Sequence, residues 1–277
     1  MREFILKLFA TVHTEGFFEI DVFNFWHILY FVIIVGGMIA GGVYLNRKSD
    51  EVKNKVFATL ATVLCALYAF DFFAIPLYYS QTLADGRIFY TLDVDKLPFH
   101  ICTVLCPVVA FVQFNKKFAK FREPVAILAI VAPLMYLTFP NGAVGGISAV
   151  CYKIIQTFLY HGVLLSWGYL NLATGVVKPA FKRCYKVLIG ICLIALWATV
   201  GNLVYNESYI GEGNANHYDW FFLTGTSFGM HPALMPFLVI AAVFGVALCV
   251  YGLYYLVLYI NAKRAEKKAA EKEPATV

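Results

Sequence analysis

Seven runs of mostly apolar residues, separated by short polar connections, constrain this chain more than any single motif in it. They extend from Phe25 to Leu45, Val56 to Tyr78, Pro98 to Phe114, Val125 to Phe139, Ile154 to Val176, Val187 to Tyr205 and Leu234 to Ile260. About 20 apolar residues in a helix cover the ~30 Å of hydrocarbon in a bilayer. Backbone amides in hydrocarbon must be satisfied within the segment, which makes each run a helix. The expected fold is therefore all-α, a polytopic membrane bundle of about seven transmembrane helices. The fourth run is short and holds Pro133, so a kink or a re-entrant excursion is an open alternative, with six crossings the next count. Charged residues make up only 14% of the chain, against about 25% in soluble domains, and that excludes a soluble globular class.

Lys and Arg fall on alternate connections. Arg47, Lys48, Lys53 and Lys55 form one group, Lys116, Lys117, Lys120 and Arg122 a second, Lys178, Lys182, Arg183 and Lys186 a third, and Lys263, Arg264, Lys267, Lys268 and Lys272 a fourth. Such clusters mark the cytoplasmic side, so the N-terminus is expected outside and the C-terminus inside. These loops account for the net charge of +5, suit anionic headgroups, and call for no nucleic acid. The organisation reads as one transmembrane domain over residues 1–262 and a charged cytoplasmic tail over 263–277, in a cell membrane of the bacterial plasma-membrane kind. Met1 to Phe18 lacks the continuous apolar core of a cleaved leader and reads as a short amphipathic segment at the outer interface. Seven cysteines, most of them inside the runs, suggest neither a disulfide framework nor a CxxC metal pair. No cofactor is expected, and the oligomeric state is left open.

Polar groups placed in apolar runs cost kilocalories unless they face a partner or a wet cavity, so they are candidates for function. Asp71, His100, Cys102, Lys153, Gln156, His161 and Asn202 are such groups, and the charge-derived topology puts all seven in the outer half. The long connection from Asn206 to His231 adds Glu212, Asn214, Asn216, His217 and Asp219 as a lid over that half. On the fifth run, Lys153, Gln156, Thr157, Tyr160 and His161 share one helical stripe, and a polar stripe in lipid must turn toward other helices. Thr199, Asn202 and Asn206 line up in the same way on the sixth.

The third run begins Asp95-Lys96-Leu97-Pro98-Phe99-His100-Ile101-Cys102. Pro98 suits a first helical turn and Asp95 a cap, and the partial positive charge of a helix start favours a thiolate at Cys102. On an ideal helix His100 and Cys102 lie about 200° apart, so the natural partner of the thiol is His161, with His100 left to orient or bind. A plainer account of each remains. Cys102 could be packing, as read for Cys65, Cys106, Cys192 and Cys249; His161 could bridge helices; Asp71 could be solvated or paired with Lys153. His13, His27, His217 and His231 read as loop or flanking residues.

Leu97-Pro98-Phe99-His100-Ile101-Cys102, then Phe158-Leu159-Tyr160-His161-Gly162, then Gly201-Asn202, Gly213-Asn214-Ala215-Asn216 and Phe221-Phe222-Leu223, in that order, resemble the bacterial YwaF-like membrane proteins and the related animal transmembrane protein 164. The likeness runs from about Trp26 to Tyr255. It implies an integral membrane acyltransferase that moves a fatty acyl chain between lipids, with Cys102 as nucleophile and His161 as base, or a lipase if water is the acceptor. His100, Asn202, Asn214 and Asn216 fall on polar motif positions, and Asp71, Gln156 and Tyr160 are expected to bind substrate or support the imidazole. Membrane lipids are the implied partners. Two other classes stay open on the residues alone: a small-solute or ion transporter or channel using the same polar cavity, and a b-type haem protein with His100 and His161 as axial ligands.

Overall fold

The computed structural model describes residues 12–78, 81–82, 86, 88–89, 96–140, 144–210, 219–223, 229, 231 and 233–270. Seven α-helices stand among the described residues: α1 Phe25–Leu45, α2 Asp50–Tyr78, α3 Ile101–Phe114, α4 Arg122–Thr138, α5 Tyr152–Ala173, α6 Tyr185–Ile210 and α7 Met235–Ala270. Two-residue strands β1 Glu19–Ile20, β2 Gln81–Thr82, β3 Ile88–Phe89 and β4 Ile147–Ser148 form two small antiparallel ladders, β1 with β4 and β2 with β3. Every apolar run became a helix, because a run of this composition satisfies its amides only by coiling on itself.

Local chemistry explains several of the ends. Asn24 caps α1 by accepting from the His27 amide at 3.2 Å, and Asp50 and Glu51 occupy the first turn of α2, where the helix dipole favours anions. Pro133 sits inside α4, which nonetheless runs as one helix from Arg122 to Thr138, so the fourth run is neither broken nor re-entrant. Pro98 is a correction: it precedes the helix rather than entering its first turn, and α3 starts at Ile101. Asp95, the expected cap, lies outside the described residues.

Five segments are long and apolar enough to cross a membrane: Phe25–Leu45, Asp50–Phe72, Ala119–Thr138, Phe181–Tyr205 and Met235–Lys268. α3, at 14 residues, is shorter than a bilayer core is thick. α5 is long enough but carries the polar stripe, and the bundle places it accordingly. It packs on α4, α2, α1 and α3, with α6 and α7 set against the far side of α4. The polar face of α5 is thus shielded by its neighbours, while the outer faces of the bundle expose Val32, Ile33, Leu193, Leu203, Leu253 and Leu256.

Close approach of α4 and α5 depends on Gly168. A Cβ there would fall 2.7 Å from the Ala126 carbonyl oxygen and 3.0 Å from the Ala129 carbonyl carbon, contacts no side chain tolerates. Of the N-terminal segment, residues 1–11 lie outside the described residues, and the stretch that follows is tied to the residues before α5 by the β1–β4 ladder and the His13–Ile147 bridge. His27 is likewise no flanking residue. It is buried, and its Nε2 donates to the Leu137 carbonyl at 2.8 Å while Nδ1 accepts from the Phe23 amide.

Candidate active site

The third helix is entered through an irregular turn. His100 has extended backbone (φ −77°, ψ 149°) and is the residue before α3, so the ideal-helix angle that set it opposite Cys102 does not apply. Its imidazole makes no capping bond. Instead Nδ1 lies 3.5 Å from the Phe221 amide. Thr103 Oγ1 donates back to the His100 and Leu97 carbonyls, closing the turn from inside.

An aromatic clamp holds that turn in place. The Phe99 ring stacks on Trp197 at 5.1 Å and meets Trp220 at 4.9 Å, and Trp197 Nε1 donates to the Pro98 carbonyl at 2.7 Å. Gly201 makes room for it: a Cβ there would fall 2.6 Å from the Phe99 ring. Asn202, one residue on, is buried, and both ends of its amide serve the Trp220 backbone, donating to its carbonyl at 3.1 Å and accepting from its amide at 2.9 Å. This holds Phe221 and Phe222 at φ +61° and +56°, a region costly for residues with side chains. The strained turn points an amide at His100.

On α5 the stripe faces inward. Gln156 and Thr157 are each 7% exposed, Tyr160 is 4% exposed, and Lys153 and His161 are half-buried. His161 Nδ1 lies 2.8 Å from the Thr157 carbonyl, an acceptor only, so the proton sits on Nδ1 and the lone pair on Nε2, which has no hydrogen-bond partner among the described residues. A carbonyl one turn back therefore orients the ring, not Asp71 or Gln156. Tyr136 of α4 stacks on the imidazole with centroids 4.0 Å apart and planes 12° from parallel.

Cys102 stands in the first turn of α3, half-buried. The Tyr160 hydroxyl donates to its carbonyl at 2.8 Å, so the residue beside His161 is bonded to the peptide that carries the thiol. His100 and Cys102 at the start of α3 and His161 on α5 thus lie at the same end of the bundle, linked through Tyr160.

The remaining expected residues divide. Asp71 is buried and pairs with Lys96 at 2.9 Å rather than with Lys153, and Tyr68 holds the same loop by donating to the Lys96 carbonyl at 2.7 Å. Asn202 is committed to Trp220. Asn214 and Asn216, with Glu212 and His217 of the expected lid, lie outside the described residues. Sequence reasoning passed over Tyr136, Lys96, Tyr68 and Trp220, which carry no periodic or motif signal; only Lys96, a charge beside the Pro-Phe-His motif, could have drawn notice.

A helical bundle with five segments long and apolar enough to cross a membrane, packed so that the polar face of α5 is buried, defines a multi-pass membrane protein. The chain belongs to the TMEM164 family, whose pattern it matches over residues 22–256. No curated protein and no solved structure matches it.

Proposed function

We propose that the chain is a membrane acyltransferase that moves a fatty acyl chain between phospholipids through a thioester on Cys102, with His161 as base. The observation that carries the reading is the committed tautomer of His161. With Nδ1–H given to the Thr157 carbonyl, Nε2 holds the lone pair a general base needs, in a ring next to Tyr160, whose hydroxyl bonds the Cys102 carbonyl. Family membership and the motif order support the same chemistry.

In the first half-reaction His161 Nε2 takes the Cys102 proton and the thiolate attacks an ester carbonyl of a phospholipid. As the tetrahedral intermediate collapses, the C–O bond breaks and His161 returns the proton to the departing lysolipid oxygen. In the second, an acceptor hydroxyl gives its proton to His161 and attacks the thioester, the C–S bond breaks, and His161 returns the proton to the Cys102 sulfur. The oxyanion formed in each step is served by His100 and the free amides at the start of α3, at about 3 kcal/mol per donor in comparable sites. Asn202 is held by the Trp220 backbone through its oxygen and one N–H.

Purified protein given a phospholipid with a labelled acyl chain should acquire a hydroxylamine-sensitive label on Cys102 and pass it to lysolipid. No label on Cys102, together with turnover that survives Cys102→Ala, would reject the proposal. Flux through proteoliposomes that persisted in Cys102→Ala would favour a transporter instead.

A further inference from the structure

The bundle has a concave site at the end opposite Cys102. The turn before α4 and the connection from α5 to α6 border an open cavity of about 450 Å³, lined by Lys120, Arg122, Glu123, Lys178, Arg183 and Lys186 among others. Five cations thus face one carboxylate.

That carboxylate is fully engaged. Glu123 Oε2 takes Arg183 Nε at 2.6 Å, and Oε1 accepts from the Ala180 amide at 3.0 Å and the Tyr251 hydroxyl at 3.1 Å. It therefore neutralises Arg183 and pins the loop, and does no more. The wall is fixed at further points: Arg183 Nη2 donates to the Lys178 carbonyl at 2.9 Å and Tyr255 to that of Pro179 at 3.2 Å. Arg122 is held by Gln113 at 2.8 Å and by the faces of Phe57 and Trp167, all neutral groups. Among the described residues, Lys120, Lys178 and Lys186 have no carboxylate partner. A preformed pocket with four uncompensated cations is built for an anion.

The surroundings indicate where that anion comes from. Phe121 and Phe181 flank the basic residues and are 43% and 54% exposed, and Tyr185 at the start of α6 is 53% exposed. Exposed rings beside cations at the ends of apolar helices mark the headgroup level of a bilayer. We infer that this cavity binds the phosphate of an anionic membrane lipid, seating the headgroup among Lys120, Arg122, Lys178 and Lys186 with the acyl chains against Phe121 and Phe181. The site is independent of acyl transfer at Cys102.

The test is thermal unfolding of the purified protein in neutral detergent, titrated with phosphatidylglycerol, phosphatidylcholine or inorganic phosphate. Phosphatidylglycerol should raise the transition at concentrations where phosphatidylcholine does not. Lys120→Gln/Lys178→Gln/Lys186→Gln should weaken its apparent affinity by roughly fivefold per ammonium removed. Lys263→Gln/Lys267→Gln, which removes charge from the exposed tail of α7, should leave it unchanged. If the triple variant does not fold, Lys178→Gln alone, with its side chain in solvent, serves as the readout. Equal loss in the α7 variant, or equal response to both lipids, would overturn the site. A response to inorganic phosphate matching that to phosphatidylglycerol and lost with Lys178 would overturn the lipid as its source.

Discussion

His161 is committed on one side only. Thr157 takes its Nδ1 proton, Tyr136 covers a face, and the other nitrogen is free to work. His161→Gln keeps size and polarity but removes the base, so acyl transfer should fall by about 10²–10⁴, the usual worth of such a group, with the fold intact by circular dichroism. An activity unchanged in that variant would make the ring structural. Asp71 and Lys96 offer a contrast, since their pair is structural and mostly shielded. Asp71→Asn leaves an ammonium without its partner and should lower the unfolding midpoint in detergent, by less than the ~3–5 kcal/mol of a fully buried pair because Lys96 is 27% exposed. Asp71→Asn/Lys96→Met should recover much of that loss, and a double variant no better than the single would show that the charges do not act on one another.

Helices here are placed by a few close approaches. Gly168 lets α5 lie against the α4 backbone, so Gly168→Ala should destabilise by about 1–3 kcal/mol through overpacking, read as a lower unfolding midpoint. Gly201 acts differently: its open side is filled by Phe99, the residue before His100. Gly201→Ala must push Phe99 aside, and acyl transfer should fall more than stability does. Between α2 and α3 the Cys65 and Cys106 sulfurs are 3.8 Å apart, and a disulfide needs about 2.05 Å. Membrane-permeant oxidant should join them after a small shift, giving a 65–106 linked peptide by mass spectrometry; its absence would mean α2 and α3 pack in another register.

At the scale of the whole molecule, four clusters of Lys and Arg mark one end and the Cys102 site the other. With the basic end in the cytoplasm, an impermeant maleimide on intact cells should label Glu15→Cys and spare Lys268→Cys, and inverted vesicles should reverse the pattern. The reverse result on intact cells would turn the bundle over. The number of helices and their approximate limits were legible because a bilayer-length apolar run has one way to satisfy its backbone. The inward turn of the α5 stripe was legible for a related reason: Gln156 and Tyr160 cannot face lipid cheaply. What could not be read were pairings between distant residues. Asp71 took Lys96 rather than Lys153, Asn202 closed on Trp220, and Tyr136 rather than any carboxylate came to lie on His161. Hydropathy and helical period act along one segment, so the chain alone determined its helices and which face of each is polar. Which polar face meets which partner depends on how seven cylinders pack, and that was decided by contacts such as Gly168 on Ala126 and Gly201 on Phe99, which exist only once the bundle has formed.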